Sequence, residues 1–267
     1  MGKRMELNLR AALATFLASI SFSAMAIPTT FSGTGVGPGS VPVAASATFN
    51  IVGDVLTITL TNTSGSNNGQ DVPGSTLTGL FFSLPGAPVL IPISALLGAQ
   101  SSIIGLCTVN MVVGPCSGTN VGGEFGYQRA NFTGGANEGI ASSGYLTSSL
   151  PGNVGNFNGT NIDDPVSLDG INFGIVSKAS GYNPNGGLAS VPVISDSVVF
   201  RLSGATGFST ANISNVSFQY GTALSELNVP GGGGGGTGSS IPEPETLLIL
   251  GLGLAAMAAV SKRRRAH

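Results

Sequence analysis

The sequence predicts an all-β chain, an antiparallel β-sandwich of the jelly-roll-like type, on three observations. Apolar and polar residues alternate with period two, most clearly where Leu56, Ile58 and Leu60 interleave with Thr57, Thr59 and Thr61. Clusters of Gly, Pro and Asn punctuate the apolar runs at short intervals, the spacing of turns between strands. Charged residues make up only 8% of the chain, and the long Ala, Leu, Glu and Lys runs that favour helix are missing from its body.

The elements follow in chain order. Residues 43–52 and 55–62 read as a hairpin, with Gly53-Asp54 as its two-residue turn. Thr57, Thr59, Thr61 and Thr63 project from one face of the second strand. Such a row reads as the solvent face of an amphipathic strand, since no other strand repeats it. A polar loop spans 64–70. Further strands are expected at 77–84, 89–94, 101–113 with a bend, 124–132, 172–177, 197–202 and 216–220. Residues 133–165 are rich in Gly and Asn and read as long loops at one end of the sandwich. No repeat of fixed period marks a solenoid.

Both ends of the chain differ from this body. Lys3, Arg4 and Arg10 precede an uncharged apolar run that closes at Ala24-Met25-Ala26. That order reads as a signal peptide over 1–26, cut after Ala26. An ectodomain is assigned to 27–229. Residues 230–240 hold the unbroken run Gly231 to Gly236 and read as a flexible linker. No lysine follows that run and no strand–helix frame surrounds it, so it is not a phosphate cradle. Residues 241–267 begin with Pro242-Glu243-Pro244 and continue as an uncharged stretch from Thr246 to Ser261. They close on Lys262, Arg263, Arg264 and Arg265. The apolar part reads as a single, short transmembrane helix, stopped by the basic cluster on the cytoplasmic side. Two prolines around Glu243 hold the backbone extended and deny it helix hydrogen bonds.

This ordered tail resembles the PEP-CTERM sorting signal of Gram-negative bacteria, with Ile241 where many members have Val. The resemblance implies processing near Pro242, Glu243 and Pro244 by an integral-membrane exosortase. It implies an intermediate anchored in the inner membrane, then delivery to the cell surface or an exopolysaccharide matrix. The body more loosely resembles ectodomains that precede such tails, through residues 80–86 and 163–174. That likeness carries no activity and no catalytic residues.

Composition bounds the chemistry. The body holds Arg129, Lys178 and Arg201 against nine acidic residues, so it offers no basic surface to nucleic acid. The one histidine is His267, which excludes Ser-His-Asp and Cys-His catalysis from the body. Asp163, Asp164, Asp169 and Glu124 or Glu138 are the material left for a glycosidase pair, and the chain has no Trp to line a sugar cleft. The expectation is therefore a protein without catalysis and without a cofactor. Asn161, Asp163, Asp164 and Asp169 read first as solvated turn residues, and otherwise as a calcium site whose spacing departs from an EF-hand. Cys107 and Cys116 are the only cysteines, and in an exported chain they read as a disulfide drawn together by a Gly114-Pro115 turn. The function expected is structural or interactive, at the surface or in the matrix. The alternative is a carbohydrate- or calcium-binding adhesin module with its site in the 133–170 loops.

Overall fold

Gly53, at a φ of +61°, makes the tight turn that lets the 55–62 run fold back on its predecessor. The computed structural model describes residues 27–65, 71–84, 86, 89–109, 112–115, 118–143, 157, 160–163, 171–178 and 182–233. Its strands in chain order are β1 Thr29–Gly37, β2 Val41–Val52, β3 Val55–Asn62, β4 Leu77–Ser83, β5 Ile91–Leu97, β6 Ser102–Ile104, β7 Leu106–Val109 and β8 Val112–Pro115. There follow β9 Gly126–Arg129, β10 Glu138–Ala141, β11 Thr160–Asn161, β12 Ile175–Val176, β13 Val193–Ser195, β14 Ser197–Ser203, β15 Ser214–Tyr220 and β16 Asn228–Pro230. Helical turns among the described residues are short and 3-10 in type.

A five-stranded antiparallel sheet runs β1-β2-β3-β14-β5. A nine-stranded sheet runs β11-β9-β10-β4-β12-β13-β6, with β15 on β4 and β16 on β15. The sheets pack face to face. Phe49 of β2 meets Phe82 of β4 edge-on at 5.3 Å, and Phe125 meets Phe200 of β14 at 5.0 Å. Leu56, Ile58 and Leu60 are wholly buried in this core, as period two requires. β4 is buried along its whole length, because Phe132, Phe157 and Leu224 cover its other face around Phe81.

The chain changes sheet between β13 and β14 within one residue. Asp196 takes a φ of +84° there, and its N–H donates to the Val176 carbonyl at 3.0 Å. A short polar side chain tolerates this left-handed geometry better than a branched one.

Several expectations need correction. The nine-stranded sheet alone exceeds the eight strands of a jelly roll, and β12 and β13 pair in parallel. Residues 133–165 are not all loop, since 138–141 form β10, paired on both edges and buried. β1 was hidden by its glycines. Gly114 and Pro115 lie within β8 and make no turn; β7 and β8 pair directly, with Cys107 opposite Gly114. Gly231 and Gly232, at the start of the expected linker, bond to the backbone of Val216 and Ser32.

Candidate functional site

Asn161 ends β11, where its side-chain amide donates to the Gly123 carbonyl at 2.8 Å. Asp163, two residues on, accepts from the Asn120 side-chain amide at 2.7 Å, and its N–H donates to the Gly122 carbonyl. These bonds tie β11 to the turn before β9. Asp164 and Asp169, the other two proposed calcium ligands, lie outside the described residues. Among the described residues no three His, Cys, Asp or Glu side chains converge on a metal position.

Glu124 and Glu138 stand at opposite ends of β9. Glu124 precedes the strand and Glu138 faces Arg129 at its other end. Glu138 points into the core beside Ile140's face of the sheet, fully buried. The Tyr127 hydroxyl donates to its Oε2, while its Oε1 lies 3.8 Å from Arg129 Nε and accepts no hydrogen bond. Burial pushes the Glu138 carboxyl above its ordinary range, opposed by the Tyr127 hydrogen bond and the Arg129 charge. Burial and the neighbouring carboxylate push the Tyr127 phenol up as well.

The threonine row belongs to a wider array than the sequence suggested. Register places Thr30, Thr48 and Thr59 side by side on β1, β2 and β3, and Ser32, Ser46 and Thr61 in the next row. Thr30 Oγ1 and Thr48 Oγ1 are 2.9 Å apart. No residue of these three strands is charged.

The tail leaves the body at a seam between the sheets. After β16, Gly232 pairs with Ser32 of β1 through reciprocal bonds of 2.9 and 2.8 Å. Gly33 and Gly35 give Val229 and Pro230 room to approach β1. Sequence reading missed this seam, although the alternating Gly33, Gly35 and Gly37 were a signal for close backbone approach.

Beyond Gly233 the chain continues, after seven residues, into the segment that carries Pro242, Glu243 and Pro244. Residues 240–265 match the PEP-CTERM protein-sorting motif. Neither curated proteins nor solved structures gave a match to the chain. A PEP-CTERM motif is a sorting signal recognised by exosortase, and it implies export with processing at the membrane or surface. The motif spans 26 residues at the end of the chain and says nothing of the β body.

The expected signal peptide with Ala24 and Ala26, the expected transmembrane helix, and the expected basic stop at Lys262, Arg263, Arg264 and Arg265 all lie outside the described residues. So does Cys116, the partner expected for Cys107. Among the described residues no helix is long and apolar enough to cross a membrane.

Proposed function

We propose that the chain is an exported, exosortase-processed protein of the cell surface or exopolysaccharide matrix. Its β body has a structural or interaction role and no catalysis of its own. The observation that carries this reading is the PEP-CTERM motif at residues 240–265. In this reading the signal peptide is removed after Ala26, the tail holds the intermediate in the inner membrane, and Cys107 and Cys116 form a disulfide after export.

The test compares the full chain with one lacking residues 241–267, in a host that carries an exosortase. The full chain should shorten at its C-terminus and reach the surface or matrix, while the truncated one should do neither. Identical distribution of both, with the tail intact, removes the reading.

The hydroxyl rows on β1, β2 and β3 favour a second reading, a module for neutral polysaccharide. Thr30, Thr48 and Thr59 stand in register on three strands that carry no charge, with Arg201 of the adjoining β14 opposite Thr57 at the margin, and such hydroxyl rows suit hydroxyl-bearing partners. Co-sedimentation with insoluble neutral glucan tests it, and retention should fall when Thr48 and Thr59 are both changed to Lys.

A further inference from the structure

The body has two unlike ends. One carries the Gly53-Asp54 turn. There the Asp54 carboxylate accepts from the Gly204 N–H at 3.0 Å and the Thr206 hydroxyl at 2.8 Å, and Ala205 N donates to the Asp54 carbonyl. Val89 lies at the same end, since a Cβ on Gly204 would come within 2.6 Å of its carbonyl. Val52 pairs with Val55 in the last row of the sheet, and Ile91 pairs with Ser203 beside them. Ile27 joins this end through its carbonyl, which accepts from the Thr210 hydroxyl at 2.9 Å.

Four of the most exposed large apolar side chains therefore share one pole: Ile27 at 76%, Val89 at 71%, Val52 at 65% and Ile91 at 59%. Exposure along β5 then falls to 42% at Ile93 and 38% at Leu96 with distance from the pole. Clustered exposed aliphatics mark a contact surface rather than ordinary solvent face. Asp54 is the one charged residue in segments 27–29, 50–55, 89–91 and 203–210 at this pole, and Arg129, beside Glu138 and Phe82, lies at the same end of the other sheet. The opposite end carries Asp71, Asp196, Glu226 and Lys178, next to Asn62, Thr76 and Ser101.

The ends of the described chain say what meets this pole. β1 starts two residues after Ile27, at the pole. The segment from Gly231 to Gly233 runs antiparallel to β1, so it leaves toward the start of β1 and the same pole. Both hydrophobic terminal segments of the sequence thus connect to the body from one side.

We propose that this pole is a bilayer-contacting surface, on which the body rests against the membrane that holds its tail. The inference rests on the tail reading above for the direction of the membrane. Val52, Val89 and Ile91 enter the headgroup boundary, where burying aliphatic surface is favourable. The acidic far end points away from anionic lipid, whose field falls off within a Debye length. The arrangement holds the cleavage motif and the body's seam together at the membrane surface until processing releases them.

The chain has no tryptophan, so a single introduced indole reports its own position. Val89→Trp, Val52→Trp and, as the far-end comparison, Val36→Trp are placed in the full chain. Val36 is 65% exposed at the other end of β1. Each is reconstituted into phosphatidylethanolamine–phosphatidylglycerol vesicles with plain or brominated acyl chains. Bromine should quench Val89→Trp and Val52→Trp and leave Val36→Trp unchanged. Equal quenching at all three positions, or a spectral shift independent of bromine from pairing of two copies, overturns the proposal. Flotation with the vesicles reads the tail separately. A chain that floats without quenching at Val89→Trp sinks the pole and spares the tail. A chain that is quenched there without stable flotation spares the pole and sinks the tail, and one that does neither sinks both.

Discussion

The space beside Gly33 is occupied by Pro230: a Cβ on Gly33 would stand 2.7 Å from the Pro230 carbonyl oxygen and 3.0 Å from the Phe218 ring. The first strand and the last are thus fitted to each other at backbone distance. Gly33→Val should force β16 off β1 and break the Ser32–Gly232 pairing. Overpacking of this kind costs about 1 to 3 kcal/mol. Urea unfolding should report the loss, and amide exchange should quicken in β1 and at 228–233 while β3 keeps its protection. An unchanged midpoint would show that the seam contributes nothing.

Glu138 links stability to pH in the direction opposite to most carboxylates. Burial raises its folded pKa above the unfolded value of about 4.3. The folded state keeps this proton longer than the unfolded state does. Its contribution is complete below the unfolded pKa and is lost as pH rises through the folded pKa. Glu138→Gln keeps an acceptor for the Tyr127 hydroxyl and cannot ionise. Urea midpoints taken from about pH 4 upward should fall more steeply for the parent than for Glu138→Gln. Parallel curves refute the assignment.

Asp196 is held in left-handed backbone by bonds on both sides, its N–H to Val176 and its carbonyl from Asn62. Its side chain also accepts from the Ser197 hydroxyl at 3.0 Å. A β-carbon branch cannot take this geometry without strain, so Asp196→Val should cost about 1 to 2 kcal/mol. Asp196→Gly relieves the backbone and loses only the side-chain bond, so it should lie close to the parent. Should the two variants melt together, the strain argument fails.

Legibility followed locality. β3 was readable to the residue, because its alternation and the Gly53 turn are contained in adjacent sequence. The sorting tail was readable for the same reason, as a linear signal in fixed order. β1 was not, because its glycines serve β16, about two hundred residues away. β10 was missed because a glutamate opens it, and its burial depends on Tyr127 and Arg129 across the ladder. The threonine row looked solitary for want of register: Thr30 and Thr48 each sit in a strand whose own alternation is unremarkable. Pairing, not periodicity, assembles the array.

Asn62 closes β3 and ties the five-stranded sheet to the other. Its Nδ2 donates to the Ser75 carbonyl at 3.2 Å and the Ile175 carbonyl at 2.8 Å, and its Oδ1 accepts from Ser64 N at 3.1 Å. The residue is buried, so groups left without it cannot turn to water. Asn62→Ala should cost about 3 kcal/mol, from carbonyls and an N–H left unpaired at about 1 to 3 kcal/mol apiece with partial relaxation. Asn62→Asp is the sharper test, since it preserves shape and changes only donors. Ionised, it turns a carboxylate toward two carbonyl oxygens, whereas protonated it can donate to one of them. Its folded pKa must therefore rise, and its stability deficit should shrink as pH falls toward the ordinary Asp value of about 3.9. A deficit that stays constant with pH would mean the amide's two donors carry no share of the joint between the sheets.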